Sequence, residues 1–499
     1  MSEFMQIPGA WNVPSALTEV QFVPANTIFD MPVRVLFIAI MEAAAQSALY
    51  QNVSSGSVQA LMGVGSSASI AIAAFEKACP GVPMDVLALP PGAGSKQAAA
   101  TVVFNGPATA SGTRALYIGG QRVTFGVSAG DTPAVMAINF LTAYGSGSSS
   151  QALANTGIAA SATLGSDGKT PVAGSVTLTA VEASQYGNDI DVRDSPYASD
   201  AVAGATVDVT AASGGAGAPA ISSALSLVST IWYTDIVTLL YDTPNLQTLA
   251  TEAQRRYGAM IKQDARVYAA LRGSYAQLLA VTANLNSMLL SVLGAQNPMW
   301  PQAAIAGAFA GQCCLSLNTD PSLQLRGLTL DAVSGMGPQG LDIFLDAQRN
   351  VLLGSGISTF TVGNDGTIAL ERVVTTYQIS ASGVAVGRPQ DIMTPAIASR
   401  IRYDFNDYIV TTYPRAKLAP DNAVTSKAAN VVTPRTLLGA WSARCKLYET
   451  QGWIEDVDTL ASSASFAIDA TDRNRVNSVL PIRPIGALII DANILQVQE

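Results

Sequence analysis

The sequence contains no histidine and carries little charge for its 499 residues. Histidine is the commonest general base and the commonest zinc ligand in proteins, so its absence excludes Ser-His-Asp and Cys-His catalysis. Charged residues make up 13% of the chain, and the net charge is −9. A surface with this charge balance does not attract phosphate groups, so we expect no nucleic-acid partner.

Long apolar runs are also missing, although 49% of the residues are hydrophobic. No stretch of about 18 consecutive apolar residues occurs, which predicts that the chain has no membrane partner. Residues 1–14 contain neither the basic nor the apolar region of a secretory signal. We therefore expect synthesis and folding in a cytoplasm.

Cysteine is scarce, with four residues that form no CxxC pair. Cys313 and Cys314 are adjacent within an alanine-rich helical pattern, while Cys79 and Cys445 are isolated. This distribution is more typical of small buried hydrophobic side chains than of redox or metal chemistry.

Two short motifs resemble ligand sites without meeting their requirements. Residues 91–96, PGAGSK, place a serine between the last glycine and the lysine, which are adjacent in a phosphate-binding loop. Residues 188–194, NDIDVRD, could present carboxylates to a metal, but they lack the glycine and the final glutamate of a calcium loop. A bare turn is the favoured interpretation. We predict no catalytic, cofactor or metal site.

Hydropathy patterns divide the chain into several parts. Residues 1–26 contain three prolines and no sustained period, which predicts an extended N-terminal arm. Residues 27–90 and 221–380 alternate strand and helix patterns, as an α/β domain does. Residues 91–220 are rich in Ala, Gly, Ser and Thr and predict a β-rich insertion. Residues 381–499 predict an α+β C-terminal domain that ends in an apolar arm strand.

Local patterns predict individual elements within these parts. A buried strand is expected at 33–41, with a helix from Glu42. Residues 350–379 predict a hairpin around the turn GNDG at 363–366, and nothing in its strands is typical of a catalytic site. The hairpin therefore indicates an architectural role.

One long helix is predicted over 246–271, because apolar residues recur there at helical spacing. Its predicted solvent face carries Glu252, Arg255, Lys262 and Arg266.

Charge is unevenly distributed in the last domain. Residues 388–446 contain nine Lys or Arg against four Asp or Glu, whereas residues 447–499 contain three against eight. A solvated helix face is the favoured interpretation of the basic part, and a dock for an acidic partner surface is the alternative.

A set of motifs follows a fixed order along nearly the whole chain. Residues 7–20, IPGAWNVPSALTEV, are similar to the pattern IP..RVPG..E, although Asn12 and Ser15 replace its Arg and Gly. The other motifs are PVRVLFI at 32–38, SAGDT at 128–132, GNDI at 187–190, LERVVTTY at 370–377, YPR at 413–415 and VTPR at 432–435. Together they resemble the tail sheath proteins of contractile phages and related injection machines, particularly the Mu-like branch.

The resemblance implies a structural subunit and not an enzyme. Such a subunit polymerises into a helical contractile cylinder around the tail tube, with stacked hexameric rings, and contracts to drive the tube through the host envelope. It implies a central subtilisin-like α/β domain without protease activity, a β-rich insertion that points outward, and a C-terminal domain that faces the tube. The partners implied are further copies of the chain, the tail tube protein, and the baseplate and tail terminator proteins, in a virion tail assembled in the host cytoplasm.

The resemblance also implies that both chain ends cross to neighbouring subunits as extra strands. The arm residues expected to do so are Ile7, Val13, Pro14, Val20, Leu488, Ile489, Ile490, Ile494, Leu495 and Val497. The basic residues expected to contact the tube are Arg400, Arg402, Arg415 and Lys417.

Two other classes of protein compete with this interpretation. A surface-layer or adhesin-type structural protein suits the Ala/Gly/Thr-rich insertion, but the expected export signal is missing. A hydrolase without histidine would need a Ser-Lys or carboxylate mechanism, and no residue spacing supports either one.

Overall fold

The structure, a computed structural model, describes residues 27–145, 151–166, 171–333, 343–422, 424 and 429–497. In chain order the strands are β1 (Val35–Ile40), β2 (Ala48–Val53), β3 (Met84–Leu89), β4 (Gln97–Asn105), β5 (Gly112–Ile118), β6 (Gln121–Val127), β7 (Ile158–Leu164), β8 (Pro171–Ala183), β9 (Val192–Asp194), β10 (Thr206–Ser213), β11 (Asp235–Thr238), β12 (Arg266–Arg272), β13 (Leu290–Ala295), β14 (Ile357–Val362), β15 (Ile368–Arg372), β16 (Lys417–Leu418), β17 (Val431–Val432), β18 (Ser465–Ile468) and β19 (Val476–Val479). The helices are α1 (Ser55–Met62), α2 (Ser67–Ala78), α3 (Pro133–Tyr144), α4 (Gln151–Thr156), α5 (Thr243–Tyr257), α6 (Tyr275–Thr282), α7 (Gln302–Thr319), α8 (Asp346–Gly354), α9 (Met393–Thr412), α10 (Pro434–Thr450) and α11 (Val457–Ser463).

The chain divides into two compact units. The larger one comprises residues 31–400 and 484–499, and the smaller one comprises residues 1–30 and 401–483. The boundary between residues 400 and 401 falls within α9.

An eight-stranded sheet forms the centre of the larger unit, in the order β15-β14-β13-β12-β11-β1-β3-β2. The six strands from β14 to β3 pair in parallel, and an antiparallel strand closes each edge. Every residue of β1, β3 and β13 is buried, as expected for parallel strands that are covered on both faces.

Side-chain alternation along β1 separates two cores. Val35, Phe37 and Ala39 belong to a cluster with α1, α2 and α7, whereas Leu36 and Ile38 belong to a cluster with α5 and α6. Helices therefore cover both faces of the sheet, and the prediction of a mixed α/β protein with several sheets is confirmed.

Residues 97–213 supply the strands of two further sheets of the larger unit. One sheet has the order β10-β4-β8-β7 and the other has the order β6-β5-β9. Val102 and Phe104 of β4, Phe125 of β6 and Phe140 of α3 share a third core. Strand β4 alternates buried and partly exposed residues, because only one of its faces meets this core.

The long helix predicted over 246–271 is wrong in its second half. Helix α5 ends at Tyr257 and is capped by Gly258, and β12 then begins at Arg266. All residues of β12 except Arg272 are buried, on both faces, because the strand lies inside the sheet. Glu252 and Arg266, which were predicted to lie on a solvent face, are each only 7% exposed.

The helix predicted from Glu42 is also wrong, since β2 occupies residues 48–53 and pairs antiparallel with β3. Pairing with β2 satisfies the backbone groups that would otherwise form an open edge of β3. The hairpin predicted over 350–379 is confirmed as β14 and β15, but the first residues of that range belong to α8.

Candidate assembly surfaces

The C-terminal end of the described chain carries an exposed apolar segment. Residues 485–497 contain no strand or helix. Five of the predicted arm residues there are between 76% and 89% exposed, namely Leu488, Ile490, Ile494, Leu495 and Val497. Ile489 is half-buried, and the neighbouring Ala487 packs against the core of the larger unit. Among the residues that the structure describes, none pairs with residues 485–497 as a strand partner.

The other four predicted arm residues, Ile7, Val13, Pro14 and Val20, lie outside the described residues. Nothing in the structure bears on the arm predicted over 1–26.

A separate hairpin in the smaller unit has open edges. Strands β18 and β19 pair antiparallel over four residues each and form a sheet of two strands among the described residues. Val479 at the end of β19 is 65% exposed. Isolated two-stranded sheets are marginally stable in water, and their outer edges present unpaired N–H and C=O groups. The hairpin is therefore suited to receive a further strand.

The four basic residues predicted to face the tube do not share one environment. Arg415 and Lys417 are exposed in the segment that follows α9, while Arg400 and Arg402 are half-buried within α9. Arg400 belongs to the larger unit and the other three belong to the smaller one. Only Arg415 and Lys417 thus present their charge freely to solvent.

The carboxyl edge of the parallel sheet contains a small cleft of about 90 Å³. Open α/β sheets commonly bind ligands at this edge. Here the cleft lies between the ends of β1 and β11, the first turns of α2 and α7, and residues 180–190. Residues 180–190 of the same chain occupy most of this edge.

Residues 182–189 are attached to the sheet edge by hydrogen bonds. Glu182 Oε1 accepts from Ser67 N at 2.7 Å and from Ser67 Oγ at 2.8 Å, at the N-terminus of α2. The Tyr241 hydroxyl donates to Asp189 Oδ2 at 2.7 Å. A carboxylate at a helix N-terminus is favoured by the helix dipole. Glu182 thus occupies the place that an anionic ligand would take.

Burial raises the pKa of Glu182 to about 7. The two hydrogen bonds from Ser67 oppose this rise, and the nearby Glu42 adds to it. The pKa of Asp189 is also raised by burial, against the hydrogen bond from Tyr241 and the charge of Arg272. Sequence reasoning missed Glu182, because 115 residues separate it from Ser67 and neither residue lies in a recognisable motif.

Two of the three carboxylates of residues 188–194 are engaged by arginines. Asp191 pairs with Arg193 at 2.6 Å, and Asp194 pairs with Arg114 at 2.6 Å. The bare turn predicted there is wrong, since its last three residues form β9 against β5. Within the described ranges, no group of three or more Cys, Asp or Glu side chains is arranged to hold a metal ion.

All four cysteines are buried with free thiols, as predicted. Among the helices that the structure describes, none has the length and apolar content needed to cross a membrane.

A curated protein is similar to this chain over nearly its full length. The tail sheath protein of the Mu-like prophage FluMu of Haemophilus influenzae is 27% identical over 481 residues, which are 95% of each chain. Comparison with models of protein families gave no match.

Solved structures of similar proteins come from several contractile systems. The sheath tail protein of Desulfitobacterium hafniense has a TM-score of 0.44 at 13% identity and covers 94% of this chain and 100% of its own. The sheath tail protein of Listeria innocua has a TM-score of 0.45 at 11% identity and covers 92% and 94%. The helical sheath of the anti-feeding prophage in its contracted state has a TM-score of 0.45 at 9% identity and covers 98% and 99%.

The comparison rests on the FluMu relative, because the similarity extends over 95% of the length of both proteins. Tail sheath proteins are structural, so the prediction that this chain is not an enzyme is confirmed. The resemblance indicated by the sequence motifs is confirmed too: this chain is similar along nearly its whole length to the tail sheath protein of a Mu-like prophage.

Proposed function

We propose that this chain is the sheath subunit of a contractile tail. In this role it polymerises into a helical cylinder around a tail tube, and contraction of the cylinder drives the tube through a host envelope. The observation that carries the proposal is the similarity to the FluMu tail sheath protein over 95% of both chains. The further partners would be the tube, baseplate and tail terminator proteins, and the cylinder would be built from hexameric rings in a virion tail.

Exposed backbone and apolar side chains supply a mechanism for polymerisation. The segment 485–497 of one copy would add as a strand to the open edge of the β18–β19 hairpin of another copy. Main-chain hydrogen bonds would hold the strand, and alternate apolar side chains such as Ile490 would be buried. The N-terminal residues before Thr27 would cross to a further copy in the same manner.

The observed sheets support the proposed domain roles. The eight-stranded sheet draws its strands from residues 35–89 and 235–372, which suits a central α/β domain of the subtilisin-like kind without catalytic residues. The strands of the two smaller sheets lie within residues 97–213, which suits an inserted outer domain over 91–220. Residues 381–499 would face the tube and end in the exchanged strand.

Contraction would be driven by burial of additional surface between subunits. Each square ångström of apolar area removed from water contributes about 25 cal/mol. Because many copies are linked by exchanged strands, small gains per subunit would add up along the cylinder. A decrease in buried area on contraction would contradict this mechanism.

Strand exchange is tested by placing a charge on the exposed segment. In the double variant Ile490→Asp and Ile494→Asp, we expect no hollow tubes by electron microscopy, because an Asp cannot be buried against a neighbour without a large desolvation cost. Melting of the unassembled chain should stay as in the wild type, since both side chains are at least 80% exposed.

Met260→Asp is the matched control, because Met260 is 94% exposed and lies outside the segment. Tubes formed equally well by the double variant would rule out the C-terminal exchange. A cysteine at Ile490 and another at Val479 should form intermolecular disulfides only in assembled material, which checks the hairpin as the acceptor.

A further inference from the structure

A buried ion pair joins two helices of the smaller unit. Asp404 of α9 is fully buried, and Arg444 of α10 is 1% exposed. Arg444 Nε donates to Asp404 Oδ2 at 2.9 Å, and Arg444 Nη2 donates to Asp404 Oδ1. The Tyr448 hydroxyl also donates to Asp404 Oδ2. Both oxygens of the carboxylate are thus engaged from α10.

Each member of this pair also contacts the main chain of the first described residues. Phe29 N donates to Asp404 Oδ1 at 2.8 Å, and Arg444 Nη1 donates to Thr27 O at 3.0 Å. The guanidinium carbon of Arg444 lies 5.8 Å from the centre of the Phe29 ring, within the range of a cation–π contact. These contacts join positions that are 375 and 417 residues apart.

Stability alone does not account for such an arrangement. Replacing a buried ion pair by apolar residues of similar volume is commonly neutral or stabilising, because both charges lose their hydration. Charge-assisted hydrogen bonds in a dry site are instead strong and directional. The Asp404–Arg444 pair directs such bonds to two backbone groups on either side of Ile28, and so it fixes the path of the chain there.

We propose that the Asp404–Arg444 pair is the docking site for residues 27–29, which form the root of the N-terminal segment. The pair would thereby set where residues before Thr27 leave the subunit to reach another copy. The docking is a property of the single chain, whereas the consequence for assembly rests on the proposed function. Tension on the segment would pass through Thr27 and Phe29 into α9 and α10. A root released from the pair would leave the segment without a defined direction, and polymerisation would suffer.

Hydrogen–deuterium exchange of the unassembled full chain tests the docking. In the double variant Asp404→Leu and Arg444→Met, the amides of residues 27–30 should exchange at least about tenfold faster than in the wild type, because their charged partners are gone. Phe29→Ala leaves the pair intact and removes the ring contact, so it should give a smaller acceleration at the same amides. This second variant keeps the test valid if the double variant does not fold.

The matched control is Arg372→Met with Asp391→Leu, which removes a bidentate ion pair of the larger unit. It should leave exchange at residues 27–30 unchanged. Unchanged exchange there in both the double variant and Phe29→Ala would overturn the docking site.

Tube formation by the same variants tests the consequence for assembly. We expect shorter or fewer tubes by electron microscopy for the Asp404/Arg444 double variant. Fast exchange at residues 27–30 together with wild-type tubes would overturn the positioning role. If the wild-type chain itself forms no tubes, the proposed function fails, and the exchange result on docking stands independently.

Discussion

At the scale of residues, buried charges in this chain have partners both on their own element and on other segments. Arg256 is fully buried and donates to Glu252 Oε1 at 2.7 Å and to the carbonyls of Val228 and Ile231. A buried charge that loses its partner typically costs about 3–5 kcal/mol of stability. Such groups therefore fix which segments lie side by side.

The Glu182 carboxyl should make stability depend on pH. Its pKa is about 7 in the folded chain, against an ordinary value of 4.5 for a glutamate carboxyl. The folded state thus holds this proton more tightly, so the contribution to stability is complete below about 4.5 and is lost as the pH rises through 7. In Glu182→Gln the amide oxygen can still accept the hydrogen bonds from Ser67. The glutamine side chain carries no charge, so its burial has no desolvation cost for a charged group.

We expect Glu182→Gln to have a higher melting temperature than the wild type at pH 8.5, as measured by thermal unfolding. This advantage should be lost at pH 5.5. The low-pH comparison is the control, because the folded wild type is then protonated at this site. An advantage that is equal at both pH values would show that the Glu182 charge is not the cause.

At the scale of elements, α2 and α7 approach unusually closely. A Cβ atom added at Gly307 would lie 2.1 Å from the carbonyl oxygen of Ala71, and one at Gly311 would lie 2.9 Å from that of Phe75. Two glycines one turn apart on α7 therefore let the two backbones touch. This contact places α7 over β11 and β12 on one face of the sheet.

Gly307→Ala should lower the free energy of unfolding by about 3 kcal/mol, since the helices must separate to admit a methyl group. Urea denaturation measures the change. Gly56→Ala on α1 is the matched control, because its added Cβ would meet no atom closer than 3.9 Å. A Gly307 variant as stable as the control would disprove the close packing.

At the scale of the whole molecule, the exposed apolar end, the open hairpin and the low charge content all suit a subunit that buries much of its surface in an assembly. Only 13% of the residues are charged. Surfaces of this composition rely on shape and backbone pairing more than on ion pairs for contact with neighbours. We propose that exposed charges such as Arg415 and Lys417 then contribute to recognition of a different partner.

Charge reversal at Arg415 and Lys417 should weaken co-assembly with the tube and leave folding intact, because both side chains are exposed. Co-sedimentation with purified tubes measures the effect, which should diminish as salt screens the charges. Arg326→Glu, also at an exposed position, is the control. If the charge-reversal variant co-sediments with tubes as well as the wild type does at low salt, Arg415 and Lys417 do not belong to the tube-facing surface.

Several features of this protein are determined by consecutive residues and were predicted from them. The buried run of β1, the helix that contains Cys313 and Cys314, and the hairpin of β14 and β15 all follow from local periodicity and turn residues. The ordered motifs predicted the resemblance to tail sheath proteins. These signals are local, so they can be recognised without knowledge of the fold.

Only the tertiary structure decided the partners of buried polar groups. Nothing in the sequence around Glu182 indicates Ser67, and nothing near Phe29 indicates Asp404. Arg266 was placed on a solvent face because a helical period was extended past Gly258, and the sheet instead buries it beside Asp235. The physical reason is that periodicity reports which face of an element is apolar, whereas the partner of a buried charge depends on which distant segment folds against that face.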